Sequence, residues 1–303
     1  MKIAIIGLGK MGHQFVVRLS GDNNEVIVFD RDPELVEAAV SAGGLAAISR
    51  EDVISKFGSE TVVIWLMIPS AAVEEEIKAW KTLLSPGSIL IDGGNSDFRL
   101  SRDRATNLAE TNVDFLDVGV SGGILGLKNG FSIMIGGNKP VAEKIDPVLK
   151  SLAKPSGDYK YVGPSGSGHF VKMVHNAIEY GLMESLAEGY NLLKDGPYPD
   201  LDLAAIAEVW QHGSIVQSSL NSLAHEIFTE DQSLDNVDGV VAESGETRWS
   251  LEIAREHSVD LPAIEASYGV RLKSQQGQIS YGTKFLAALR NKFGGHNINP
   301  TAP

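Results

Sequence analysis

Short apolar runs alternate with amphipathic stretches through the first half of the chain, whereas the second half carries amphipathic stretches almost alone. The run KIAII beginning at Lys2 predicts a strand, and helical spacing follows it to about Ser20. Further strands are expected at Glu25 to Asp30, Thr61 to Ile68, Ser88 to Ile91, Asp114 to Val118 and Phe131 to Ile135, which reads as the last of them. Helices are expected near Pro33 to Ala42, Ala71 to Leu83 and Lys139 to Leu152. Strands this apolar, separated by helices, belong to a mostly parallel sheet covered on both faces. Pro155, Gly157, Gly163, Pro164, Gly166 and Gly168 then mark a boundary. Beyond it the pattern is helical, over about Phe170 to Lys194, Asp202 to Gln211, Ser214 to Phe228, Arg248 to His257, Pro262 to Lys273 and Tyr281 to Phe293. The expectation is an α/β domain over residues 1–163 and an all-helical domain over 164–303 built around its long first helix. His296-Asn297-Ile298-Asn299-Pro300 reads as a closing tail.

The first strand runs into Gly7-Leu8-Gly9-Lys10-Met11-Gly12, and the second ends in Asp30, 18 residues after Gly12. Glycines so spaced between a strand and a helix permit a tight turn and close backbone approach, so that a pyrophosphate can rest on the helix N-terminus. With an acid closing the next strand, the stretch reads as a Rossmann dinucleotide site. A carboxylate at Asp30 accepts from the ribose hydroxyls of NAD and repels the extra phosphate of NADP, while Arg31 could partly offset that repulsion. NAD is therefore the expected cofactor and NADP the alternative. In such folds the loops after the strands line the cofactor crevice. Here these are Met67-Ile68-Pro69 and Asp92-Gly93-Gly94-Asn95-Ser96, with Asn95 as the polar reader. Ser121, Gly122 and Gly123 could hold a carboxylate in a small backbone nest, although a ligand-free glycine turn would look the same.

On the long helix, Lys172, His175, Asn176 and Glu179 fall at i, i+3, i+4 and i+7, which places them on one face. Phe170, Val171, Met173, Val174, Ala177 and Ile178 occupy the other positions. A solvated stripe on a surface helix would give the same polar set, but the apolar flanks suggest a central helix packed on several sides. Polar groups there must be satisfied, and a polar ligand is one way to do it. Lys172 and Glu179 are separated by roughly 10 Å of helix axis, enough for both to reach one small molecule.

Composition changes this picture little. The 303 residues suffice for two domains, and 43% hydrophobic with 21% charged residues is ordinary for a globular protein. With no cysteine there is no disulfide, thiolate metal site or cysteine nucleophile. Glycines interrupt the first apolar run too early for a signal peptide, no run approaches membrane-helix length, and a cytoplasmic protein is expected. A net charge of −13 disfavours nucleic acid and anionic membranes. After Glu265, however, the chain has no acidic residue and five basic ones, Arg271, Lys273, Lys284, Arg290 and Lys292, which suggests a site for a small anion.

Together, GLGKMG, DGGNS at Asp92, SGG at Ser121, GSGHFVKMVHNAIEYG at Gly166 and RNKFGGH at Arg290 resemble the 6-phosphogluconate dehydrogenases of the β-hydroxyacid dehydrogenase superfamily. The resemblance implies oxidative decarboxylation of 6-phospho-D-gluconate to D-ribulose 5-phosphate and carbon dioxide, without a metal. It implies Lys172 as the base at the C3 hydroxyl and Glu179 as the later proton donor. Asn95, Ser121, Gly122, Gly123, His175 and Asn176 match positions that hold the sugar acid, and Tyr180 one that meets the phosphate. Arg248 stands where the family usually has lysine, and Arg271 matches a family arginine with a one-residue shift. Arg290 and His296 match a tail that reaches a neighbouring subunit's site, so a homo-oligomer, dimer or tetramer, is implied. Two departures stand out. The chain resembles the short-chain branch, lacking the duplicated helical region of longer members, and Asp30-Arg31-Asp32 replaces the Asn-Arg-Thr of NADP-using members. A dehydrogenase for another β-hydroxyacid, or a non-catalytic sensor of NAD or sugar phosphate, would share the fold.

Overall fold

The computed structural model describes residues 1–198 and 200–298, so Asn299 and Pro300 of the expected tail lie outside the described residues. The chain divides into two compact units, Met1–Met173 and a second from Val174 onward.

The first unit contains strands β1 (Lys2–Ile6), β2 (Glu25–Phe29), β3 (Leu45–Ala46), β4 (Val63–Leu66), β5 (Ile89–Asp92), β6 (Asp114–Ser121), β7 (Ser132–Gly137) and β8 (Asp158–Gly163). They form one sheet in the order β3-β2-β1-β4-β5-β6-β7-β8, parallel throughout except for the β6–β7 pair. Alternation along β1 explains its unbroken apolar run. Ile3 and Ile5 pack on one face with Phe15, Trp65 and Ile91, while Ala4 and Ile6 pack on the other with Ile64, Leu66 and Trp80. Each fully buried side chain of this size contributes roughly 1.5–3 kcal/mol of transfer free energy.

The connecting helices are α1 (Lys10–Gly21), α2 (Pro33–Ser41), α3 (Arg50–Phe57), α4 (Ser70–Lys81), α5 (Phe98–Ala109), the short α6 (Gly126–Asn129), α7 (Lys139–Lys144) and α8 (Asp146–Ala153). Several of these differ from expectation. β7 is not the last strand, because β8 adds to the sheet's edge from the segment read as a boundary; most of its residues are exposed, so no apolar run betrays it. α5 buries Ser101 and Arg104 beside Leu108, which erases its hydrophobic period. The single helix expected from Lys139 is two, because Pro147 in the first turn of α8 cannot continue the hydrogen-bond ladder.

α9 (Ser167–Asp195) is the long helix, and the division between units falls within it. The second unit continues with α10 (Leu203–Gln211), α11 (Ser219–Glu230), α12 (Glu246–Glu256), α13 (Pro262–Gln275) and α14 (Tyr281–Gly294). Its core gathers on Tyr190, whose ring contacts Trp210, Phe228 and Phe285 and whose hydroxyl donates to Asn221 Oδ1 at 2.7 Å. In this unit α9 buries Ala177, Tyr180, Met183 and Ala187, but Ile178 and Leu182 remain half-exposed in the single chain. The helix is thus packed on the side of the buried residues and open on that of Ile178 and Leu182. Among the described residues, no helix is long and apolar enough to cross a membrane.

Candidate active site

The glycine turn sits at the carboxyl end of β1, where the sheet order reverses between β2 and β4. Gly7 has φ +90°, and a Cβ there would strike Ile68 Cγ2 and the Met67 carbonyl. Gly12 packs on the Gly7 carbonyl. A Cβ on Gly9, by contrast, would meet nothing within 4 Å, so protein packing does not require its bareness. No side chain caps α1 at Gly9. Open space before uncapped N–H groups fits a dinucleotide pyrophosphate. Leu8 is buried, Met11 packs against the core and Lys10 is exposed. Asp30 accepts from Leu8 N–H at 2.7 Å and from Asp32 N–H at 3.0 Å, so the residue expected to read the ribose also pins the turn; Arg31 beside it is exposed.

The Met67-Ile68-Pro69 loop leaves the end of β4 against this turn, and Gly93 and Gly94 press in turn on Met67 and Ile68. Beneath them Asp92, fully buried, accepts from Gly94 N–H at 3.0 Å, Ser96 Oγ at 2.7 Å and Arg104 Nη1 at 3.0 Å. Asn95 is thereby presented to solvent from a loop tied at both sides. Removing one partner of so buried an ion pair typically costs about 3–5 kcal/mol.

β6 organises the other half of this unit's site. Asp117, fully buried, accepts from Gly166 N–H at 2.7 Å and His169 N–H at 3.0 Å, and so closes the open end of α9. Two residues on, a Cβ at Gly119 would collide with the Lys172 stem. Lys172 is 7% exposed. Ser121 ends the strand, and Gly122 and Gly123 follow with φ of +133° and +51°, conformations that glycine adopts readily.

In the second unit, α9 carries His175, Asn176, Glu179 and Tyr180. Arg271 from α13 lies with its guanidinium carbon 3.2 Å from the Tyr180 ring centroid, and Tyr180 Oη accepts from Ser244 N–H at 3.4 Å. Burial, helped by the positive charge of Arg290, pushes the Arg271 guanidinium down to about 10, although Tyr180 and Glu179 oppose the shift. Burial lowers Arg290 of α14 as well. Neither guanidinium is hydrogen-bonded to a carboxylate among the described residues. Two buried cations repelling each other call for an anion. Arg248 instead is half-exposed and turned toward Glu243 and Glu252, while His296 is exposed beyond the end of α14 and folds its ring over Gly294.

Residues 2–163 match the model of the NAD binding domain of 6-phosphogluconate dehydrogenase, and residues 168–288 match that of the 6-phosphogluconate dehydrogenase C-terminal domain. The chain belongs to the 6-phosphogluconate dehydrogenase family. A Haloferax volcanii relative named as an NAD(+)-dependent, decarboxylating 6-phosphogluconate dehydrogenase is 37% identical over 300 residues, 98% of each chain. YqeC of Bacillus subtilis is 36% identical over 296 residues, again 98% of each. A structure of Plasmodium falciparum 6-phosphogluconate dehydrogenase, described with NADP+ and with 6-phosphogluconate, superposes with a TM-score of 0.79 at 27% identity, covering all of this chain and 67% of that one. Within this family frame, four buried groups escaped the sequence reading: Asp92, Arg104, Asp117 and Glu246. An acid ending an apolar strand was the available signal for Asp92, whose partners Ser96 and Arg104 follow 4 and 12 residues on, whereas the partners of Asp117 and Glu246 lie 49 to 70 residues away, beyond the reach of spacing alone.

Proposed function

We propose that the chain oxidatively decarboxylates 6-phospho-D-gluconate to D-ribulose 5-phosphate and carbon dioxide, with NAD as the preferred acceptor. The chemistry supplied by the bound dinucleotide is acceptance of the hydride from C3, and the residues that would hold it are Gly7, Leu8, Gly9, Lys10, Met11, Gly12, Asp30, Arg31, Met67, Ile68, Pro69 and Asn95. Lys172, in its neutral form, takes the proton from the C3 hydroxyl as that hydride leaves. The resulting ammonium then donates to the C3 oxygen while the C1–C2 bond breaks, carbon dioxide departs and its electron pair forms an enediol. Glu179 protonates the carbon that has lost carbon dioxide, giving the ketose. Asn95, Ser121, Gly122, Gly123, His175 and Asn176 hold the carboxylate and hydroxyls. Tyr180, Arg248, Arg271, Arg290 and His296 serve the phosphate end.

The observation that carries this reading is the buried pair Arg271 and Arg290, with no carboxylate hydrogen-bonded to either among the described residues, since an unphosphorylated hydroxyacid would bring no phosphate to meet them. The preference for NAD rests on the Asp30 carboxylate at the end of β2. A homo-oligomer is consistent with the exposed Ile178 and Leu182 on α9. The test is spectrophotometric turnover of 6-phosphogluconate, gluconate and 3-hydroxyisobutyrate with each nicotinamide. Rapid reduction of NAD with 6-phosphogluconate alone is expected, and comparable rates with gluconate would refute the assignment.

A further inference from the structure

Glu246 opens α12 just after Gly245, whose φ of +99° and contact with the Trp249 ring fix where the helix begins. The Glu246 side chain is buried, at 3% exposure. Its Oε1 accepts from Asn176 Nδ2 at 2.9 Å, and Asn176 Oδ1 lies 3.1 Å from His175 Nδ1. Because Glu246 Oε1 takes the Asn176 Nδ2 hydrogen, the amide turns its NH2 toward Glu246 and its oxygen toward the imidazole. That oxygen also only accepts, so the proton of a neutral His175 must reside on Nδ1, with the lone pair on Nε2. Glu179 Oε2 also faces this Nδ1, at 3.8 Å and so beyond hydrogen-bond length, whereas the Asn176 contact is a hydrogen bond whose direction is set from its Glu246 end.

From this we infer that Glu246 is a positioning residue. Through Asn176 it holds His175 in the Nδ1–H tautomer, and so makes Nε2 an acceptor for a hydroxyl of the sugar acid. The inference rests on the proposed reading, in which His175 meets the substrate. Neutral glutamine at 246 would remove the constraint, because its amide can donate or accept. Asn176 could then flip, donate to His175 Nδ1 and leave the proton on Nε2.

The test uses full-length, isotope-labelled protein at about pH 8.5, where an ordinary imidazole is neutral. Two-bond proton–nitrogen spectra report the tautomer, with His175 assigned by its loss in His175→Gln. The parent should show a protonated Nδ1 and a bare Nε2 at His175, and Glu246→Gln should show both tautomers. KM for 6-phosphogluconate should rise about tenfold in Glu246→Gln, while KM for the dinucleotide stays within about twofold. A merely structural role for Glu246 would leave the tautomer unmoved. A parent with Nε2–H at His175, a variant with an unchanged tautomer, or a mixed tautomer with unchanged KM would each overturn the inference. Once His175 is assigned, the parent spectrum needs neither a folded Glu246→Gln nor turnover. If 6-phosphogluconate is not a substrate, the functional proposal fails while the spectrum still tests the relay.

Discussion

Replacing Arg271 by methionine should stabilise the ligand-free protein while crippling its use of a phosphorylated substrate. The guanidinium is 2% exposed, and burial together with Arg290 lowers it to about 10, a drop worth about 3 kcal/mol against the charged form. The sign follows from linkage. A cation whose value is depressed on folding carries its full penalty below about pH 10, and sheds it only as pH rises from there toward the unfolded value. Stacking on Tyr180 returns about 1–2 kcal/mol, so Arg271→Met, which keeps much of the side chain's bulk, should gain about 1–2 kcal/mol at neutral pH. Denaturant unfolding of parent and variant without ligand measures this directly. Inorganic phosphate should raise the parent's melting temperature and leave the variant's unmoved. The lost charged contact should lower the preference for 6-phosphogluconate over gluconate by about 10–100-fold. A variant that is destabilised by more than about 2 kcal/mol and still gains stability from phosphate would refute the argument.

Lys172→Met should cut turnover by about a hundredfold or more while dinucleotide affinity, read by fluorescence titration, stays near the parent's. Asp30→Asn keeps an oxygen for the Leu8 N–H but removes the charge, so the ratio of NADP to NAD efficiency should rise; an unchanged ratio would dispose of the repulsion argument. Glu184 on α9 is pushed up to about 7 by burial and by Glu188, against the pull of Arg271. A carboxyl raised on folding favours the native state below its unfolded value, and that benefit fades as pH climbs to about 7. Glu184→Gln should therefore flatten the stability profile between about pH 5 and 7. Discounted for partial exposure, the gain at pH 8 should be about 1–2 kcal/mol.

The glycine turn, the alternation of strands and helices and the polar stripe of α9 were legible because each is written within one contiguous stretch. β8 was not, because an edge strand needs no apolar period, and α5 was not, because its buried face carries Arg104, acceptable only once Asp92 is beside it. Glu246 looks like any surface glutamate until α12 is packed against α9 and Asn176 takes one of its oxygens. Arg271 and Arg290 were found through family likeness and the charge bias of the tail, but only folding shows that both are buried.

Asp117, Gly119 and Ser121 alternate along β6, so one side of a single strand carries the clamp for the start of α9, the seat for the Lys172 stem and the hydroxyl that opens the glycine nest. Pairing of Asp117 with Asp92 in β5 and with Gly136 in β7 therefore sets the alignment of all three at once. A one-residue slip in either pairing would turn the Asp117 and Ser121 side chains, and the bare face of Gly119, toward the opposite layer of helices. The lysine would then lose its seat without any chemical group having been altered, so this enzyme's chemistry is indexed by the hydrogen-bond ladder of its sheet.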